Sequence, residues 1–146
     1  MLPSSESNPW SYLENRFGVT LEDSCYDLRE SSGDYWLVSE QMETDLDVET
    51  YGVRCLRKTG RGLKPTTYAL QILEEELNKN IVEVDREELL DLLHRREMID
   101  RELDQKGYVA IKYEERIMGC GYYMNKTVSS RIPKGRSKEL AASIED

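Results

Sequence analysis

One histidine and three cysteines in 146 residues leave little with which to ligate a metal or staple a fold. Cys25, Cys55 and Cys120 are odd in number and widely separated, which argues against a disulfide framework and against paired zinc knuckles. His94 alone cannot complete a structural zinc site, so no metal is expected. No apolar run is long enough to span a bilayer, and the opening Met-Leu-Pro-Ser-Ser-Glu lacks a basic segment followed by an apolar stretch. A soluble, cytoplasmic chain with no membrane partner is the expectation. The absence that says most is of acid. Residues 51–68 and 116–138 contain no Asp or Glu, although the chain holds 29 acids against 20 lysines and arginines. The first window carries Arg54, Arg57, Lys58, Arg61 and Lys64; the second carries Arg116, Lys126, Arg131, Lys134, Arg136 and Lys138. Taking those eleven positive charges from the formal total of -9 leaves -20 on the remainder. Screening confines a charge to roughly 8 Å at physiological salt, so an acidic protein can still present a basic face to a polyanion.

What is present organises the chain. Trp10, Leu13 and Phe17 recur at helical spacing before Gly18, predicting a short helix over 9–18. Tyr35-Trp36-Leu37-Val38 and the run 51–56 are strand candidates expected to pair, separated by an acidic loop over 40–49. Lys58-Thr59-Gly60-Arg61-Gly62 is a basic turn. Pro65-Thr66 opens a helix whose Ala69, Leu70, Ile72, Leu73 and Leu77 form one apolar side, ending at Lys79-Asn80. A short strand over 81–84 precedes Asp85 and Glu88, which are spaced as a capping box for a helix carrying Leu89, Leu90, Leu92 and Leu93 and stopping near Arg95. Three antiparallel strands follow, over 107–113, 117–124 and 128–132. Gly119 and Gly121 inside the middle one imply a bulge, a bend or a close backbone approach. The close of the chain is polar and is expected to be a mobile tail.

Within this order Gly107-Tyr108-Val109, Ile117-Met118-Gly119-Cys120-Gly121 and Ile132-Pro133-Lys134-Gly135-Arg136 resemble the closing pattern of the PUA-like RNA-binding domain attached to Sun-family RNA cytosine-5 methyltransferases. Tyr51-Gly52-Val53-Arg54, Leu63-Lys64-Pro65-Thr66 and Leu92-Leu93-His94-Arg95-Arg96-Glu97-Met98-Ile99 resemble the segments that lead into it, so the similarity spans about 51–136. Two departures stand out. Ser129-Ser130 replaces a usual Lys-Asn pair, and an arginine replaces a usual glycine in the turn over 94–97. The catalytic half of such enzymes is missing: there is no Gly-x-Gly-x-x-Gly element, and no cysteine follows a proline. The resemblance implies an RNA-binding module without methyltransferase activity and without a cofactor.

The resulting expectation is an α+β protein: an N-terminal helix and strand subdomain over 1–80, packed on a small PUA-like β-barrel over 81–138, with a polar tail over 139–146. Arginine's planar fork and lysine's point charge suit phosphate, so Arg54, Arg57, Lys58, Arg61, Lys64, Lys126, Arg131, Lys134 and Arg136 are the candidate RNA-binding residues, with Arg116 and Lys138 weaker. Of Tyr122 and Tyr123, adjacent on a strand, one belongs to the core and the other is free to stack on a base. Cys120, in mid-strand, fits a buried hydrophobe better than a nucleophile. The expected ligand is structured ribosomal or transfer RNA. The alternative is a protein-interaction subunit docking on a separately encoded RNA-modifying enzyme through the acidic remainder.

Overall fold

The computed structural model describes residues 8–20, 26–39, 52–60 and 62–145, and the chain falls into two compact units, Met1–Lys79 and Asn80–Asp146. The first unit begins with α1 (Pro9–Phe17). Asn8 caps it by accepting from the Trp10 and Ser11 amides at 3.0 and 3.1 Å, and Gly18 ends it in the left-handed region at φ 76°. A Cβ on Gly18 would fall 1.9 Å from Asn78 Oδ1; the Asn78 amide nitrogen uses that approach to donate to the Gly18 carbonyl at 3.2 Å.

Four strands follow as an antiparallel meander in chain order: β1 (Tyr26–Ser31), β2 (Asp34–Ser39), β3 (Val53–Thr59) and β4 (Gly62–Pro65). Sequence gives no sign of β1, because half of Tyr-Asp-Leu-Arg-Glu-Ser is charged. Its pairing is set by the turn Ser32-Gly33, both at positive φ, whose twist matches that of the strands it joins. Thr66 opens α2 (Thr67–Ile72), its hydroxyl accepting from the Ala69 amide at 3.2 Å. The helix expected to reach Leu77 stops at Ile72, and the Glu74 and Glu76 amides bond three residues back in tight turns. Three successive glutamates at the negative end of a helix dipole favour that early stop.

The second unit is built on a five-stranded sheet in the order β5, β7, β8, β9, β6: β5 (Ile81–Glu83), β6 (Ile99–Asp100), β7 (Gly107–Tyr113), β8 (Arg116–Met124) and β9 (Thr127–Ser130). β5 runs parallel to β7, and the other pairings are antiparallel. The capping box forms, with the Glu88 amide on Asp85 Oδ1 at 2.8 Å and the Asp85 amide on Glu88 Oε1 at 3.1 Å. It starts α3 (Arg86–Leu90), which widens into a π-helical turn over Asp91–Arg95. Leu89, Leu92, Val109, Ile111, Val128 and Ile132 are sealed in the core.

Arg101 explains the shape of this sheet. It follows β6, yet its guanidinium donates to the Glu83 carbonyl on β5 at 2.8 Å and to both Glu88 carboxylate oxygens at 2.6 and 2.8 Å, while also holding the Asp100 carbonyl at 2.7 Å. β5 and β6 are opposite edges, so one side chain reaches both only if the sheet curls into a half-barrel. The glycines of β8 assist. Ile111 faces Gly119 and Lys112 faces Ile117, leaving Met118 as a bulged residue. At Gly121 a Cβ would lie 3.0 Å from both Ile111 Cδ1 and the Ser129 carbonyl oxygen, a backbone approach that only glycine allows unstrained.

The end of the chain corrects the expected tail. Residues Lys134–Glu145 form α4, a 12-residue helix with Ser137 and Ala141 buried and Leu140 and Ile144 packed against the core. Ser137, Leu140, Ala141 and Ile144 recur at helical spacing on its inner face, but two of the four are small, which weakens the stripe in sequence. Among the described residues no helix is long and apolar enough to cross a membrane.

Candidate nucleic-acid interface

Register decides which cations of the first window share a face. Trp36 lies opposite Arg54 and Tyr35 opposite Leu56, so Cys55 is a bulged residue on β3. Arg57 then pairs with Lys64, and Lys58 with Leu63. Cross-strand partners share a face and neighbours alternate, which sets Arg54, Arg57 and Lys64 on the side of Trp36 and Lys58 on the side of Tyr35. Without the bulge Arg54 and Arg57 would point in opposite directions.

Their commitments differ. Arg54 sits 5.1 Å from the Trp36 ring centre and pairs with Asp34 at 3.2 Å. Lys58 is 4.8 Å from the Tyr35 ring and is hydrogen-bonded to Glu30; that bond holds its pKa above the ordinary lysine value. Arg57 and Lys64 have no acidic partner among the described residues. Arg61 lies outside the described residues.

In the second unit the tyrosine pair divides as alternation requires. Tyr123 is buried and its hydroxyl accepts from the Leu103 amide at 3.0 Å, whereas Tyr122 is half-buried, edge-on to Tyr108 with ring centres 4.9 Å apart. Arg131 stands 5.4 Å over the Tyr122 ring. Arginine over an aromatic face beside two partly exposed rings is a surface on which a base can stack and a phosphate can be gripped. Lys126 occupies the β8–β9 turn at φ 63°; its 3.7 Å approach to Glu102 joins two groups that are both more than three-quarters exposed and holds it weakly. Arg136 reaches Glu139 at 4.0 Å and leaves a buried Nε without a partner. Arg116 opens β8, exposed.

Lys134 and Lys138, on the first turns of α4, line a cavity of about 450 Å³ with Leu93, His94, Arg96 and Ala141. Arg96 is absent from the acid-free windows. It takes the left-handed conformation at φ 56°, ψ 36° immediately after the π-helical turn, where glycine would cost nothing and any other residue about 1–2 kcal/mol. Its Nη1 offsets this by donating to the Ile132 carbonyl at 3.2 Å and to Ser137 Oγ at 2.9 Å. An arginine in a turn where related domains carry glycine was the signal in sequence.

Two of the cysteines are described; both are buried and neither forms a disulfide. Burial pushes the Cys55 thiol up to about 12, the reverse of what a nucleophile needs. Among the described residues no group of three His, Cys, Asp or Glu side chains is placed to hold a metal.

Mixed helices and strands around a sheet curled into a half-barrel fit a PUA-like β-barrel. Residues 79–137 match the family model described as Methyltransferase RsmF PUA domain. The matched model is that of the PUA domain, distinct from the catalytic methyltransferase domain. No curated protein matches the chain.

Proposed function

We propose that this chain is a non-catalytic RNA-binding module that positions structured RNA, ribosomal or transfer, through a basic face, in the service of RNA modification or ribosome biogenesis. PUA domains generally bind RNA, and the match over 79–137 supports a methyltransferase context for the second unit. The observation that carries the reading is the company the cations keep. With 29 acids available for 20 basic residues, Arg57, Lys64, Arg131, Lys134 and Lys138 nonetheless lack an acidic partner among the described residues. Unneutralised like charges repel, and an RNA backbone relieves that repulsion while releasing its own counterions. Arg131 with Tyr122 and Tyr108 supplies stacking on an unpaired base, and Lys126, Lys134 and Arg136 grip phosphates around it.

Titration of the full chain with total transfer RNA and with ribosomal RNA, at several salt concentrations, tests this. Log K should fall linearly with log salt, and Lys126→Glu with Arg131→Glu should weaken binding and make the slope shallower by about one unit for each phosphate no longer neutralised. Equal affinity in wild type and variant at every salt concentration would remove the assignment.

A further inference from the structure

The cavity between the π-helical turn and α4 is charged in a way that neither the fold nor solubility requires. Arg96, Lys134 and Lys138 surround it, no acid lines it, and none of the three has an acidic partner among the described residues. The apolar part of its lining comes from Leu93, Ala141 and Ala142. Cationic and apolar lining together describe an amphipathic anion: a flat, weakly polar body joined to a phosphate. A volume of about 450 Å³ is within the range of small-molecule sites.

Three local features hold the cavity open. The π-helical turn over Asp91–Arg95 carries Leu93 and His94 to its wall, and such turns recur at functional sites. The left-handed backbone of Arg96 turns the chain where a helix would otherwise continue, and bonds from Nη1 to Ile132 and Ser137 fix the guanidinium. Those bonds use one nitrogen; Nε and Nη2 have no partner among the described residues and remain open to phosphate oxygens. Ile132, whose carbonyl accepts from the Arg96 guanidinium, follows Arg131 directly in the chain.

We propose that this cavity binds a single unpaired nucleotide, with its base against Leu93, Ala141 and Ala142 and its phosphate held by Arg96, Lys134 and Lys138. The inference rests on the RNA-binding reading and sharpens it, because a duplex presents no free base to such a lining. A nucleotide within an RNA strand and a free mononucleotide offer the same chemistry, and the test separates them.

Backbone amide NMR of the full chain would be recorded against AMP and UMP, against a single-stranded hexauridine, and against a blunt RNA duplex of similar charge. The expected result is shifts at Arg96, Ser137 and Lys138 with mononucleotide and single strand, tighter binding of the strand, and no pocket shifts with the duplex. Arg96→Gly and, separately, Lys138→Ala should each weaken binding of mononucleotide and hexauridine about tenfold. Arg96→Gly relieves the backbone strain, and Lys138→Ala alters an exposed helical side chain, so a fold-preserving control exists if one of them melts early. RNA binding with silent pocket amides and unaffected variants overturns the inference and leaves RNA binding intact. Mononucleotide shifts at the pocket with no RNA binding at low salt support the site and overturn the wider reading. Silence with every probe overturns both.

Discussion

Replacing Arg101 with leucine should open the half-barrel. The guanidinium makes four hydrogen bonds, two to the Glu88 carboxylate and two to carbonyls on opposite edge strands, with side chains 26% and 28% exposed for Arg101 and Glu88. A hydrogen bond to a charged group contributes about 1.5–3 kcal/mol, but water reaches the vacated acceptors here, so the net loss is about 2–3 kcal/mol and well below the sum of four bonds. For a unit of this size each kcal/mol shifts the midpoint by about 4–8 °C, giving a fall of about 10–20 °C. Thermal unfolding followed by circular dichroism measures the shift. Hydrogen exchange then localises it, since amides of β5 and β6 should lose protection before those of β7 and β8. Arg101→Lys keeps the charge but cannot span three acceptor groups, and should fall between the two. A midpoint within about 3 °C of wild type, or protection lost evenly across the sheet, would show that Arg101 decorates a closure made by other interactions.

The same clamp predicts an acid response. The Arg101 hydrogen bond, aided by the Asp85 amide and opposed by burial, holds the Glu88 pKa below the ordinary 4.5. Its contribution is therefore fully present above that value and is lost as pH falls through the lower folded value, so wild type should lose stability relative to Glu88→Gln between pH 5 and 3, about where carboxylates titrate. Gly121→Ala should cost about 1–3 kcal/mol in urea unfolding, because its methyl would meet a backbone oxygen that cannot swing away. Cys55, 1% exposed with a thiol near 12, should resist iodoacetamide in the native protein and react only on unfolding. Arg57→Glu with Lys64→Glu should leave the melting midpoint within about 2 °C, since neither side chain has an acidic partner to lose.

Local chemistry was legible wherever it acts over a few residues. The Pro9 start and Gly18 stop of α1, the Asp85 and Glu88 box and the three closing strands follow from helical spacing, caps, turns and alternation within short windows. The division of Tyr122 from Tyr123 follows in the same way. The charge windows named the cations but not their arrangement, since that depends on pairing between distant segments: Lys58 turns to Glu30 across 28 residues, and Arg54 to Asp34. α4 was hidden because its inner stripe is short and half of it is serine and alanine, Ser137 and Ala141 beside Leu140 and Ile144, within an otherwise polar stretch. Arg96 stood out only as an arginine in the turn over 94–97; its role comes from a backbone conformation, and composition carries no trace of φ.

The bulge at Cys55 acts as a phase slip in β3. Upstream of it even-numbered side chains point to the Trp36 side; downstream the odd-numbered ones do. Deleting Cys55 would restore simple alternation and leave Arg57 on its present side, since Trp36 would still face Arg54 and Tyr35 would still face Leu56; keeping Cys55 but drawing it into the regular ladder would instead drive Arg57 to the side now occupied by Leu56 and Leu63. The first cationic face is thus encoded in a count of residues: one supernumerary neutral position lets arginines three apart in sequence share a side that regular alternation would deny them.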